Sequence, residues 1–371
     1  MSRLAREYDS INLAQGFPNF PADEVLKEAA IRAIRDDINQ YAITWGAKRL
    51  RDALAAKYQD WYGLEADPER EITVTCGATE AMIATLLAVV DPGDEVIVFE
   101  PFYENYGPDA ILSDARPVYL PLAPGQPLDL DRLAAAFSPR TRAIILNTPG
   151  NPSGRVLTRG ELEAIRDLCV RHDCLAVTDE IYEHILFEGV HLPIATLPGM
   201  RERTVTISGA SKTFSVTGWR IGWIVAPVEL TDAIRKVHDF LTVGAPAPLQ
   251  EGVADALGRL SPEFYRHLRG EYRRRRDLLW SALVDAGFRA TAPEGAYYIL
   301  ADFSALSGLD DTAFAVWLSR EVGVTPVPGS SFFSDPAAGR SLARFVFCKT
   351  DDVIVEAARR LRGLVGKSVS R

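Results

Sequence analysis

Short β-branched runs alternate with longer helical patterns through the middle of this 371-residue chain. Residues 72–75, 95–99, 143–147, 175–179, 204–208 and 221–226 all read as buried strands. Helix candidates fill several of the gaps between them. After Thr158, residues 159–172 place Leu162, Ile165, Leu168 and Cys169 on one helical stripe. Alternation of this kind predicts a largely parallel, doubly wound α/β sheet covered on both faces. The C-terminal third changes character. A basic helix is followed by a turn and strand at 293–300, a further helix at 311–322, and a strand then a helix from Arg344 onward. Those elements predict a smaller α+β domain, interlocked with the first because no low-complexity linker separates them.

Length favours two domains, and 47% hydrophobic residues suffice for a large core. The net charge of -9 leaves no basic surplus to neutralise phosphates, which argues against a nucleic-acid partner. The local run Arg273-Arg274-Arg275-Arg276 is expected on a solvated helix face, paired with neighbouring acids. The longest apolar run, 81–90, stops at Asp91, too short to span a bilayer. No apolar signal region opens the chain, and the four cysteines fit neither a zinc ribbon nor a C-x-x-C pair, so a reducing cytoplasm is expected. The five histidines form no metal-binding motif, and neither a Rossmann nor a Walker A signature appears.

Ligands of open α/β sheets bind beyond the carboxyl ends of the strands. Here those ends carry Gly77-Ala78-Thr79, Tyr103, Asn147 to Asn151, Asp179 to Tyr182, and Ser208 to Lys212. Each has an ordinary structural reading. Asp179 suits a helix cap, Asn151 a turn, Tyr103 a packed ring, Gly77 a helix start, and Arg220 a surface ion pair. Together they fit one ligand, pyridoxal phosphate. It needs a lysine for an imine and a carboxylate that keeps its ring nitrogen protonated. A phenol or amide must hold the ring oxygen, an aromatic must lie on the ring face, and a helix N-terminus with a cation must hold the phosphate.

The stretch SGASKTFSVTGWRIGW, residues 208–223, resembles the lysine signature of the class I/II aminotransferases of PLP fold type I. From INLAQGFPNFP at 11–21 to RFVFCK at 344–349, the chain is similar to their kynurenine, glutamine and methionine aminotransferase branch. The resemblance implies a large PLP-binding domain, 30–258, with a mostly parallel seven-stranded sheet between helices. It also implies a small domain built from 1–29 and 259–371. Carried over by position, Lys212 forms the imine and moves the proton, Asp179 pairs with the ring nitrogen, and Tyr182 and Asn151 bond the ring oxygen. Tyr103 stacks on the ring, while Gly77, Ala78, Thr79 and Arg220 hold the phosphate. Tyr41 reaches the phosphate of a neighbouring subunit's site, which implies a homodimer. Arg344 grips the substrate carboxylate by a two-pronged bond, with Gly16 beside it.

The implied activity moves an amino group from an L-amino acid to a 2-oxo acid in ping-pong fashion. Phe17, Tyr41, Trp45, Tyr103, Phe332 and Phe333 favour apolar, aromatic or sulfur-containing substrates if they surround the pocket, and otherwise pack the domain junction. A cysteine-conjugate β-lyase would share Lys212, Asp179 and Arg344 and stays open as an alternative. A Ser-x-x-Lys hydrolase fits poorly, because Ser208 lies four positions before Lys212. A PLP-binding regulator would need a DNA-binding domain, for which the ten residues before Ile11 are expected to be too few. Three departures from the family pattern stand out. Gly209 occupies the place where a phosphate-binding serine is often found, leaving that task to Ser208 or Ser211. Pro149-Gly150-Asn151-Pro152 keeps only the second asparagine of its motif, and the N-terminal arm is expected to be short.

Overall fold

The computed structural model describes residues 1–364. Seven strands form the main sheet: β1 (Ile72–Thr75), β2 (Glu95–Glu100), β3 (Arg116–Pro121), β4 (Thr141–Asn147), β5 (Leu175–Asp179), β6 (Thr204–Gly209) and β7 (Gly222–Val225). Their spatial order is β1-β7-β6-β5-β4-β2-β3. All pairings are parallel except those of β7, which runs antiparallel to both β1 and β6. The inner strands are apolar at successive positions because both faces are covered. Val96, Val98, Ile145 and Val177 pack under the helix Ala78–Val89, whereas Ile97, Ile144, Leu146 and Ala176 pack under the helix Arg159–His172. Burying each such side chain contributes roughly 1.5–3 kcal/mol. The second helix opens on a capping box between Thr158 and Glu161 and buries the expected stripe of Leu162, Ile165, Leu168 and Cys169.

Strand β3 escapes the pattern reading for a physical reason. It lies at the sheet edge, pairs only with β2, and is mostly half-exposed, so no buried apolar run marks it. Its two prolines, Pro117 and Pro121, are tolerated because an edge strand leaves N–H positions without a ladder partner.

A second, antiparallel sheet joins β8 (Tyr298–Asp302), β9 (Val327–Pro328) and β10 (Leu342–Val346) in the order β9-β10-β8. Ile299, Phe345 and Phe347 build its core with Tyr272 and Leu279 of the helix Pro262–Asp285 and Ile354 of the helix Asp351–Arg362. The chain start joins this unit. Ile11–Asn12 pairs in parallel with Val324–Thr325, and the Leu13 carbonyl accepts from Val346 N at 2.9 Å. The expected helix at 311–322 divides into an α-helix, Asp311–Trp317, and a wider π turn, Leu318–Val322. The basic run does pair with Glu188, Glu271 and Asp351, but it is not wholly solvated. Arg275 and Arg276 lay their guanidinium groups over Phe20 and Phe187, 4.8 and 4.7 Å from the ring centres.

Candidate active site

The carboxyl ends of β4, β5 and β6 and the helix that follows β1 open onto one cavity that is partly open to solvent. Ala78, Thr79, Tyr103, Asn151, Asp179, Tyr182, Lys212 and Arg220 all line it. Parallel strands end on the same side of the sheet, so residues far apart in sequence converge here.

Lys212 sits on the one-turn helix Ala210–Thr213 directly after β6. Its Nζ donates to the Gly16 carbonyl at 3.3 Å, and the Tyr297 hydroxyl donates to the same oxygen at 2.7 Å. Burial lowers the Lys212 ammonium to about 8; Asp179 opposes the fall, while Arg220 and Arg344 add to it. Asp179 terminates β5 and is buried. Burial pushes its carboxyl up, although Oδ2 accepts from the Tyr106 hydroxyl at 2.7 Å and Oδ1 from Ile181 N at 3.2 Å. Such an acid gains most from a cationic partner, and a protonated pyridine nitrogen is one.

The turn before the helix Ala78–Val89 lies against β7 with no room for side chains. Gly77 has φ of 86°, and a Cβ there would stand 2.3 Å from Arg220 Nη2. A Cβ on Gly222 would meet the Gly77 carbonyl carbon at 2.5 Å. Backbone N–H groups at this helix start and the Arg220 guanidinium therefore share one edge of the cavity, a donor set suited to a phosphate. The residues present fit pyridoxal phosphate at its lysine, acid and phosphate ends.

Arg344 lies in the central strand β10, aligned with Val327 and Leu300 on either side. Nη1 donates to Asn151 Oδ1 at 2.8 Å and Nη2 to the Ala14 carbonyl at 2.9 Å. The guanidinium is stacked 4.6 Å from the Tyr298 ring centre and 4.7 Å from that of Phe332. Its buried Nε has no hydrogen-bond partner. Such a group has donor capacity to spare for a carboxylate.

Some expected residues lie elsewhere. The Ser208 hydroxyl does not line the cavity; it is buried and donates to Glu183 Oε1 at 2.6 Å, so its assignment as a phosphate ligand is corrected. Ser211 lines the cavity instead. Gly209 is small because a Cβ would come within 2.9 Å of Ile181 Cδ1 and 3.0 Å of the Ile221 carbonyl oxygen. Tyr41 does not line the cavity of its own chain and is 86% exposed. Of the six aromatics expected near the pocket, only Tyr103 lines it. Phe332 lies under Arg344, Phe17 under Lys349, and Trp45 against Arg235.

Further residues complete the site, of which Asn147 was among the polar groups at the strand ends in the sequence. Tyr106 bonds Asp179, and Asn147 Oδ1 accepts from Asn151 N at 2.7 Å while Nδ2 donates to the Asp179 carbonyl at 2.9 Å. The Tyr182 and Tyr298 hydroxyls are 2.8 Å apart. Asp109 lines the cavity with a buried, unpartnered Oδ2, and burial raises its carboxyl to about 7. Tyr106 and Asp109 stand three apart on the helix Tyr106–Leu112 that follows the β2 end, which was the available signal. Among the described residues, no cluster of three metal-ligating side chains occurs. No helix among them is long and apolar enough to cross a membrane.

The family described as aminotransferase class I and II matches residues 8–361. The chain is 41% identical to the methionine aminotransferase of Escherichia coli over 98% of its length and 94% of that protein. It is 35% identical to human kynurenine–oxoglutarate transaminase 1, over 97% of this chain and 93% of that one. The structure of the N-succinyldiaminopimelate aminotransferase from Mycobacterium tuberculosis superposes with a TM-score of 0.94 at 42% identity, covering 98% of this chain and 96% of that one.

Proposed function

We propose, since the chain belongs to the class I and II aminotransferases, that it moves the amino group of apolar, aromatic or sulfur-containing L-amino acids to a 2-oxo acid at this cavity. The chain is a transaminase with pyridoxal 5′-phosphate as its cofactor. When bound, that cofactor supplies a carbonyl that condenses with amines and an electron-withdrawing ring that makes the amino acid's α-proton acidic.

Every other task falls to side chains of this protein. Lys212 Nζ would hold the cofactor and, once freed, would take the α-proton from the substrate and return it two bonds away, on the far side of the substrate nitrogen. Its lowered pKa of about 8 lets the free amine do so near neutral pH. Asp179 holds the positive charge at the ring nitrogen, braced by Tyr106. Tyr182 and Asn151 hold the ring oxygen, Tyr103 covers the ring, and Gly77, Ala78, Thr79, Ser211 and Arg220 take the phosphate. Arg344, with the Gly16 loop beside it, binds the substrate carboxylate and thereby fixes the α-carbon near Lys212. The observation that carries this reading is the half-buried lysine and buried acid facing one cavity, with an arginine held between two rings close by.

The methionine and kynurenine relatives support the substrate class. Residues 30–258 are assigned as the large domain. Residues 1–29 with 259–371 form the small one, of which 365–371 lie outside the described residues. Exposed Tyr41 is assigned to the phosphate of a second subunit, which makes the working protein a homodimer. The free thiols of Cys76, Cys169, Cys174 and Cys348 suit a cytoplasmic location.

A panel of donors at fixed 2-oxo acid tests the substrate class. Methionine and phenylalanine should give kcat/KM values at least tenfold above that of aspartate, since a missing partner for a buried charge costs more than a lost methylene. Aspartate equal to or better than both would contradict the assignment.

A further inference from the structure

His238 lies on the helix Val228–Thr242, outside the cavity, with no exposed surface. Its two ring nitrogens meet two different parts of the chain. Nδ1 is 2.9 Å from Glu80 Oε1, and Nε2 is 2.8 Å from the Thr44 carbonyl oxygen. A carbonyl only accepts, so Nε2 carries a proton, while Nδ1 shares a hydrogen bond with the Glu80 carboxyl group. Burial works against the charge, but the Glu80 carboxylate and the Thr44 carbonyl outweigh it and hold the imidazole above its ordinary value, with Asp239 adding to the effect.

Both partners lead to places that matter. Glu80 stands in the first turn of the helix Ala78–Val89, and its Oε2 accepts from Cys76 N at 2.9 Å, fixing the residue just before Gly77. The Cys76 carbonyl in turn faces Arg220 Nη2 at 3.5 Å. Thr44 lies three residues after Tyr41, in a segment pinned to β1 through Val74 N and the Trp45 carbonyl, 3.0 Å apart. One doubly bonded imidazole therefore ties the turn Gly77–Thr79 to the segment that presents Tyr41.

We propose that His238 is a positioning residue that sets the phosphate-holding turn and the Tyr41 segment in register, so that each subunit's phosphate grip and the tyrosine it offers to its neighbour are coupled. This rests on the reading of Gly77–Thr79, Arg220 and Tyr41 as phosphate ligands. The imidazole touches neither cofactor nor substrate. Its effect acts on donors aimed at the phosphate, leaving lysine, acid and ring contacts in place.

The test measures, for the apoprotein, the ratio of the dissociation constant of phosphate-free pyridoxal to that of pyridoxal 5′-phosphate, which isolates the phosphate grip. His238→Gln should lower the ratio about tenfold, the size expected for a lost charge-assisted hydrogen bond, with pyridoxal affinity retained. Glu80→Ala cuts the same link at its other end and should give the same loss, which serves if H238Q fails to fold. Tyr41→Phe should lower the ratio in the wild-type background and have little effect in H238Q, a non-additivity diagnostic of coupling. A wild-type ratio in H238Q or E80A, or additive effects of H238Q and Y41F, would overturn the proposal. Arg220→Gln separates the two layers. If it lowers the ratio while H238Q does not, the phosphate assignment stands and the positioning role fails. If it leaves the ratio unchanged, the phosphate assignment itself is wrong and the positioning role falls with it.

Discussion

Arg344 makes two kinds of contact in one place, donors to Asn151 and Ala14 and aromatic faces on two sides, and leaves a buried Nε unpaired. A lysine there would supply charge without the planar fork. Arg344→Lys should therefore raise KM for the amino acid about tenfold to a hundredfold, the range of a lost charged hydrogen bond. Steady-state kinetics on methionine checks this, and an unchanged KM would remove Arg344 from carboxylate binding. Such a residue was legible in the sequence through the strand it sits on and the family motif around it. Tyr106 and Tyr298 were not, because their roles are set by partners 73 and 116 positions away respectively. Ser208 misled for the complementary reason. A strand alternates its side chains between faces, and its hydroxyl fell on the side of Glu183.

At the scale of elements, the inner strands and the helix Arg159–His172 could be read because burial on both faces, or on one stripe, leaves a pattern. The edge strand β3 leaves none. Between elements, a buried pair holds the helix Lys48–Tyr62 to the segment after β5: Lys57 Nζ lies 2.6 Å from Glu183 Oε2, with the Tyr62 and Ser208 hydroxyls on the same carboxylate. Burial would raise the Glu183 carboxyl, but Lys57 with His184 and His191 outweighs it and brings it from 4.5 to about 2. A carboxyl with a depressed folded value stabilises the fold above the unfolded value and loses that contribution as pH falls toward the folded one. The wild type should thus lose this stability between about pH 4.5 and 2. Lys57→Met leaves the carboxylate buried without its cation, at a cost of about 3–5 kcal/mol near neutral pH. Thermal melts across pH are the check: the variant's deficit should shrink on acidification as Glu183 takes up a proton. A deficit that is absent at pH 7, or that grows in acid, would contradict the ion-pair account.

At the scale of the whole molecule, strand ends from one sheet and Tyr298 from the other line one cavity, and Arg344 reaches its edge through the bond to Asn151, which joins distant parts of the chain in one site. Tyr41 does not line that cavity and 86% of its surface is exposed, so the proposed role at a phosphate requires a second copy of the chain. Lys212→Ala protein is expected to be inactive, and Tyr41→Phe protein weakened in cofactor retention. Subunits of the two variants, mixed under exchange, should form a dimer whose one intact lysine site is completed by the wild-type Tyr41 of the Lys212→Ala subunit. Cofactor affinity at that site should then return to the wild-type value; affinity like that of the Y41F homodimer would contradict the shared site.

The central claim is that this cavity transfers an amino group in two separable halves. Mixing holoprotein with excess methionine, in the absence of any 2-oxo acid, tests it most directly. The account predicts loss of the cofactor's visible band, release of one 2-oxo acid per site and no free ammonia, with the band restored when a 2-oxo acid is added. Lys212→Ala should do none of this. Continued release of oxo acid with ammonia, or an unaltered band in the wild type, would contradict it.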